Sequence, residues 1–148
     1  MKMAGIGEHQ QELQKTFMQL EMGKKQLEEL VRQAHFMEQA VVEKDSTIAA
    51  LRALEDAGEE NEILVPLGSD SFIKARILNK DEILVGVGGG VSLEKKRLDA
   101  LKTLEARRDD LRKKRDEVAK SAQTLGAQVE QLNLFAEAKV RELQKHDH

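Results

Sequence analysis

The residues that look most like chemistry form a glycine string, Gly86-Val87-Gly88-Gly89-Gly90-Val91, standing just before a helical segment. Glycine loops in that position can cradle phosphate, because bare backbone N–H groups approach the anion and a helix N-terminus favours its charge. A dinucleotide fingerprint, however, needs glycine where Val91 stands together with a parallel βαβ unit, and a phosphate loop ends in Gly-Lys-Ser/Thr. Both tests fail. The string reads instead as relief for a bulge or for a tight backbone approach between strands. Of the four histidines, His9, His146 and His148 lie near the chain ends, where a helical hairpin would gather them. Terminal imidazoles on a frayed tip read as solvated side chains rather than metal ligands, and His35 reads as a surface helix position. The absence of Cys removes disulfides, thiolate zinc and a thiol nucleophile, and no Ser/His/Asp set falls in a strand-turn-helix context. Residues 107–117 hold six bases, but four acids accompany them and no aromatic residue does, so they read as a solvated coiled-coil face and not a nucleic-acid site. The expectation is a protein that is not an enzyme and uses no metal and no cofactor.

Elements able to position such residues follow from composition. The 148 residues are 40% hydrophobic and 34% charged but only 3% aromatic, with four Phe and no Trp or Tyr. Large aromatics supply much of an ordinary core, so a compact enzyme interior is excluded in favour of long, partner-dependent helices. A formal charge of −3 gives no positive field for nucleic acid or anionic lipid. The longest apolar run, residues 83–91, is far short of the ~20 residues a membrane helix needs. With no signal-like start and no Cys, the expected location is the cytoplasm, with no membrane and no nucleic acid among the partners.

Hydrophobic period divides the chain into three. In the N-terminal arm, residues 8–57, Leu13, Leu20, Leu27, Ala34, Val41 and Ile48 recur at every seventh place as the expected d row. Phe17, Lys24, Val31, Glu38 and Asp45 form the expected a row, Leu30, Met37 and Leu51 widen the stripe beside it, and Gly58 is the stop signal. The C-terminal arm, residues 92–145, repeats this with Leu104, Leu111, Val118, Leu125 and Leu132 as d, and Leu101, Arg108, Arg115, Ala122, Val129, Ala136 and Leu143 as a. Ser92 is expected to cap its start. Each arm of about 50 residues would make a rod of roughly 75 Å.

Between them, residues 63–91 alternate with a period of two. The runs Ile63-Leu64-Val65-Pro66-Leu67, Phe72-Ile73-Lys74-Ala75-Arg76-Ile77-Leu78 and Ile83-Leu84-Val85-Gly86-Val87 predict two β-hairpins, the second closing near Val91. Pro66 suits an edge strand or a bulge. A sheet of four short strands leaves a dry face and open edges, which other subunits would complete. Because both arms start or end at this body, the second folds back along the first as an antiparallel coiled coil. One register sets Leu13 against Leu143 and Leu27 against Val129, the other Leu13 against Ala136. Either one places Glu38 one layer from Arg115 and Asp45 one layer from Arg108, so the seam charges compensate each other. The free tip then carries Phe17, Met18, Met22, Leu134, Phe135, Val140 and Leu143. That cluster reads equally as a broad packing stripe and as a deformable binding surface.

The whole pattern, with Leu64-Val65-Pro66-Leu67-Gly68-Ser69-Asp70-Ser71-Phe72-Ile73-Lys74-Ala75 and Val87-Gly88-Gly89-Gly90-Val91, resembles the α subunits of archaeal prefoldin. Two hairpins rather than one fit the α class. The resemblance implies an α+β fold in which a long antiparallel coiled-coil hairpin carries two central β-hairpins that join an oligomeric β-barrel of two α and four β subunits. Ile63, Val65, Ile73, Ala75, Ile77, Ile83, Val85 and Val87 would then be assembly residues. The implied activity is an ATP-independent chaperone, a holdase that keeps unfolded or nascent polypeptides between coiled-coil tips and passes them to a group II chaperonin. A structural or adaptor coiled-coil protein, or a filament-forming relative, is the alternative for this architecture.

Overall fold

The structure, a computed structural model, describes residues 2–56 and 62–146, with side chains for 7–56 and 62–145. The order is α1 (Lys2–Asp56), β1 (Glu62–Gly68), β2 (Ser71–Arg76), β3 (Glu82–Gly88), β4 (Val91–Lys96) and α2 (Arg97–His146). The expected stop at Ala57 and Gly58 lies outside the described residues. The chain divides into two compact bodies. One holds residues 1–38 and 113–148, the other residues 39–112 with both hairpins.

Long helices form here because Leu, Gln, Glu, Lys, Ala and Met dominate and Pro is absent. The last turn of α1 has no basic residue to complement its dipole. Compensation comes from elsewhere in the chain: Lys80 Nζ donates to the Glu55 carbonyl at 3.1 Å, satisfying one of the acceptors a helix end leaves open.

In the first body the two helices run antiparallel, and the burial pattern corrects the seam of the N-terminal arm. Leu20 is buried at 5%, but the expected a-row residues Phe17 and Val31 are 48% and 54% exposed. The second inward line is instead Thr16 and Gly23, both buried, with Leu30 and Met37, both half-buried, each one residue earlier than expected. Residues three and four places after the Leu row lie about 60° and 40° to either side of it, so both flanks border the stripe, and the apolar Leu30 and Met37 decide which flank turns inward. Thr16 tolerates burial because its hydroxyl donates to the Glu12 carbonyl at 2.8 Å. Leu20, Val129 and Ala136 form a core against which Leu13, Leu125 and Leu132 pack.

The register shifts accordingly and matches neither expected alternative. A Cβ added to Gly23 would lie 2.9 Å from Val129 Cγ2, and one on Gly126 would lie 4.0 Å from the Leu27 methyls. Val129 therefore sits against Gly23, between the positions the two registers assigned to it. Glu38 accepts a hydrogen bond from Arg115 Nη1 directly, not from a layer away. The missing side chain at Gly23 permits this close approach, which Leu27 facing Val129 would not.

In the second body Val41, Ile48, Leu51 and Ala100 are buried at 5% or less. Asp45 accepts from Arg108 Nη1 and Arg112 Nη2, each at 3.1 Å. Here too the seam carboxylate meets its bases directly.

The hairpins are separate two-stranded antiparallel sheets, β1-β2 and β3-β4, not one four-stranded sheet, and no barrel closes among the described residues. Each turns through two residues with positive φ: Ser69 (50°) and Asp70 (60°) in the first, Gly89 (60°) and Gly90 (77°) in the second. Such turns match strand twist and require left-handed backbone, which glycine adopts without steric cost. The glycine string thus makes a turn, and the register skips next to it, between Gly86 and Gly88. The same skip between Pro66 and Gly68 places Pro66 beside a bulge. Close backbone approach within the chain is not what these glycines serve, because among the described residues nothing lies within 4 Å of Cβ positions built at Gly86, Gly88, Gly89 or Gly90.

Two boundaries are corrected. Ser92 does not cap a helix: Val91–Lys96 is β4, paired with β3 from Gly88↔Val91 to Glu82↔Lys96, and α2 starts at Arg97. The tight Gly89-Gly90 turn returns the chain onto β3, and ladder hydrogen bonds satisfy backbone groups that a helix start would leave open. Ile77 lies outside β2, because pairing ends at Glu62↔Arg76.

Candidate functional site: strand faces and an apolar helical end

Alternation along each strand gathers one apolar face per hairpin. In the first, Ile63 pairs with Ala75 and Val65 with Ile73. In the second, Val85 pairs with Leu93 and Ile83 with Lys95. Ile63, Val65 and Ile73 stay 37%, 38% and 53% exposed, while Ala75, Ile83 and Val85 are half-buried. Val87 projects from the bulge at 53% exposure and Ile77 sits half-buried beyond the strand end. Leu93 was missed. The alternation of Val91, Leu93 and Lys95 with Ser92, Glu94 and Lys96 was the available signal, obscured by reading Ser92 as a cap. Fully burying each such aliphatic side chain is worth about 1.5–3 kcal/mol, and the part of each that stays exposed leaves a fraction of that unrealised within the chain. The opposite faces are apolar in places as well, with Leu64, Phe72 and Leu84 exposed.

In the body containing both helix ends, Met18 and Met22 flank buried Leu20 two residues to either side, about 200° round the helix. They therefore point away from the seam, 66% and 63% exposed. Leu134 and Phe135 are 56% and 46% exposed on α2, while Val140 and Leu143 are half-buried. Phe17, Asn133, Ala136, Glu137, Val140 and Arg141 line one shallow groove. The residues expected at the tip thus share one body but not one face.

Electrostatics bind this end together. Lys139 lies in the seam with 18% of its side chain exposed, 3.7 Å from Glu12 and 3.8 Å from Glu142. Its Nζ is 3.3 Å from His9 Nδ1 and 5.6 Å from the centroid of Phe135. An ammonium in contact with His9 opposes a second cation there, and among the described residues no group of three His, Asp or Glu could hold a metal. His148 and the side chain of His146 lie outside the described residues. His35 is exposed on α1.

The basic run at 107–117 is largely committed to its neighbours. Arg108 pairs with Asp45 and Asp109, Arg112 with Asp45, and Arg115 with Glu38 and Asp116. The hydrogen bond to Asp45 raises the pKa of Arg108 above its ordinary value, and the bond to Glu38 does the same for Arg115. Stability from a raised pKa is present below the unfolded value and lost only as pH rises through the folded one. For arginine both lie above the neutral range, so these pairs respond to salt and substitution rather than to ordinary pH changes. No helix among the described residues is long and apolar enough to cross a membrane.

Two long helices paired antiparallel and two hairpins with partly exposed apolar faces define the class of the fold. The prefoldin subunit family model matches residues 23–142, and the chain belongs to the prefoldin family, which is a chaperone family and not one known for enzymes. Among relatives, "Prefoldin subunit alpha" of Methanothrix thermoacetophila is 43% identical over 81 residues, 55% of this chain and 53% of that protein. This match thus spans about half the length of that relative. The protein of the same name from Methanoculleus marisnigri is 30% identical over 130 residues, 88% of this chain and 87% of the relative. Of solved structures, filamentous PFD from Methanocaldococcus jannaschii is similar with a TM-score of 0.64 and 26% identity, covering 79% of this chain and 95% of that one. The prefoldin β subunit from Thermococcus strain KS-1 shares the fold, with a TM-score of 0.58 and 15% identity over 88% of this chain and 93% of that one.

Proposed function

We propose that this chain is the α-type subunit of a cytoplasmic, ATP-independent holdase. Two copies join four β-type subunits through the hairpins, and the helical ends hold unfolded or nascent polypeptides until a group II chaperonin receives them. The observation that carries this reading is the pair of open apolar surfaces in a chain of the prefoldin family: strand faces with Ile73 53% exposed, and a helical end with Met18 66% exposed.

The mechanism is additive and needs no reacting group. Met side chains are flexible and polarisable, so they fit unlike client segments. Each contact is weak, but linking several sites on one client raises overall affinity by about 10² to 10⁴. Release then needs no hydrolysis, because contacts let go singly.

The test removes residues 1–22 and 130–148 and combines the shortened chain with a β-type subunit. The expected result is an intact hexamer that no longer suppresses client aggregation; retained suppression, or loss of the hexamer, contradicts the reading. Likeness to a filamentous PFD favours one second reading, a filament-forming subunit. Open-ended growth of the intact chain in solution, instead of a defined heterohexamer, would support it.

A further inference from the structure

The least expected side chain in the molecule is Arg97, a guanidinium with 7% of its side chain exposed at the junction of β4 and α2. Its backbone N–H donates to the Asp81 carbonyl at 2.7 Å. Since Glu82 pairs with Lys96, this bond extends the ladder by one step beyond the last strand pair and makes Arg97 the closing residue at the base of the second hairpin. Its side chain reaches from the hairpin base to α1. Nη1 donates to the Leu51 carbonyl of α1 at 3.4 Å, and Nη2 lies 3.8 Å from the Glu55 carboxylate. Nε lies 3.9 Å from the Asp81 carboxylate, beyond hydrogen-bond range, and has no hydrogen-bond partner among the described residues.

A buried charge is a poor source of stability, since an apolar side chain of similar volume is often as good. What this one does is geometric. Arg97 joins the β2–β3 connection, the start of α2 and the basic-poor end of α1, and the planar fork of its guanidinium holds one hydrogen bond and two longer ion pairs in a fixed geometry that a flexible side chain would not. We infer that Arg97 is a positioning residue for assembly: it locks the base of the β3-β4 hairpin onto the end of α1, and so sets the direction in which Val85 and Leu93 face a neighbouring subunit. This rests on the strand faces being the assembly surface.

The experiment compares Arg97→Met and Arg97→Lys with the unaltered chain, each mixed with a β-type prefoldin subunit. Three quantities are read: the concentration at half-assembly, helicity by circular dichroism, and hydrogen exchange of amides 82–96 in the unmixed chain. Met fills the volume and strands no buried anion, because the Glu55 and Asp81 side chains are 65% and 73% exposed. Helicity should therefore be kept. Exchange in 82–96 should speed up, and half-assembly should need about tenfold more protein, the fold-change of one charged hydrogen bond. Lys, which can still reach a carbonyl but lacks the fork, should recover part of both effects. Unchanged exchange and assembly in Arg97→Met, or helicity lost in step with assembly, overturns the inference. If the unaltered chain itself fails to assemble, the reading of the strand faces falls, while faster exchange in Arg97→Met still upholds the anchor and unchanged exchange removes it.

Discussion

Replacing Gly23 by Ala should destabilise the helical pair, although alanine in a helix interior is worth about 1 kcal/mol more than glycine. The new Cβ would lie 2.9 Å from Val129 Cγ2, closer than non-bonded carbons approach. Val129 cannot swing away cheaply, because a β-branched side chain in a helix has one strongly preferred rotamer, and with 8% exposure it has little free space. The helices must separate locally, and overpacking of this kind costs about 1–3 kcal/mol. The net effect is a loss of up to ~2 kcal/mol, or about 2–4 °C in the melting midpoint per kcal/mol for a chain of this length. The assay is thermal unfolding by circular dichroism of Gly23→Ala, Val129→Ala and the double variant. Val129→Ala removes the clashing methyl, so the double variant should be more stable than the two single effects summed, with a coupling of about 1–3 kcal/mol. A rise in the melting midpoint for Gly23→Ala alone would refute the reasoning, because it would place Gly23 outside the seam and return Lys24 to it.

Glu38→Arg should lower the melting midpoint by setting a cation against Arg115, and added salt should shrink the loss; an unchanged midpoint at low salt would count against the pairing. Ile73→Glu should leave helicity intact but raise the concentration for assembly at least ~100-fold, since burying an unpaired carboxylate costs several kcal/mol; sedimentation with a β-type subunit reads this directly. Phe17→Ser with Phe135→Ser should keep the oligomer and weaken client capture by roughly tenfold for each lost contact, measured by titrating a fluorescent unfolded client.

Much of this was legible in the amino-acid order, and the misses share a cause. The Leu13 row, the α2 rows and the first hairpin follow from strict periods of seven and two. The second row of α1 was misread because Phe17 and Val31 outrank Thr16 and Gly23 as apolar residues, whereas the seam needed small side chains at a close approach. Gly23 is valuable for what it lacks, which a hydrophobic pattern does not score. That one slip moved the register and turned the contacts of Glu38 and Asp45 from near to direct. The fourth strand was hidden by Ser92, whose capping tendency is real but yields to the turn at Gly89-Gly90. Arg97 carries no signal in sequence, because its burial depends on where α1 ends in space. The apolar helical end was found by type and position, but the outward direction of Met18 and Met22 needed the seam to be known first.

Light scattering from an aggregating client, with no nucleotide present, tests the central claim most directly. The chain mixed with a β-type subunit should suppress scattering at near-stoichiometric amounts, well beyond either subunit alone. Equal scattering with and without the assembled complex would contradict a holdase function for this protein.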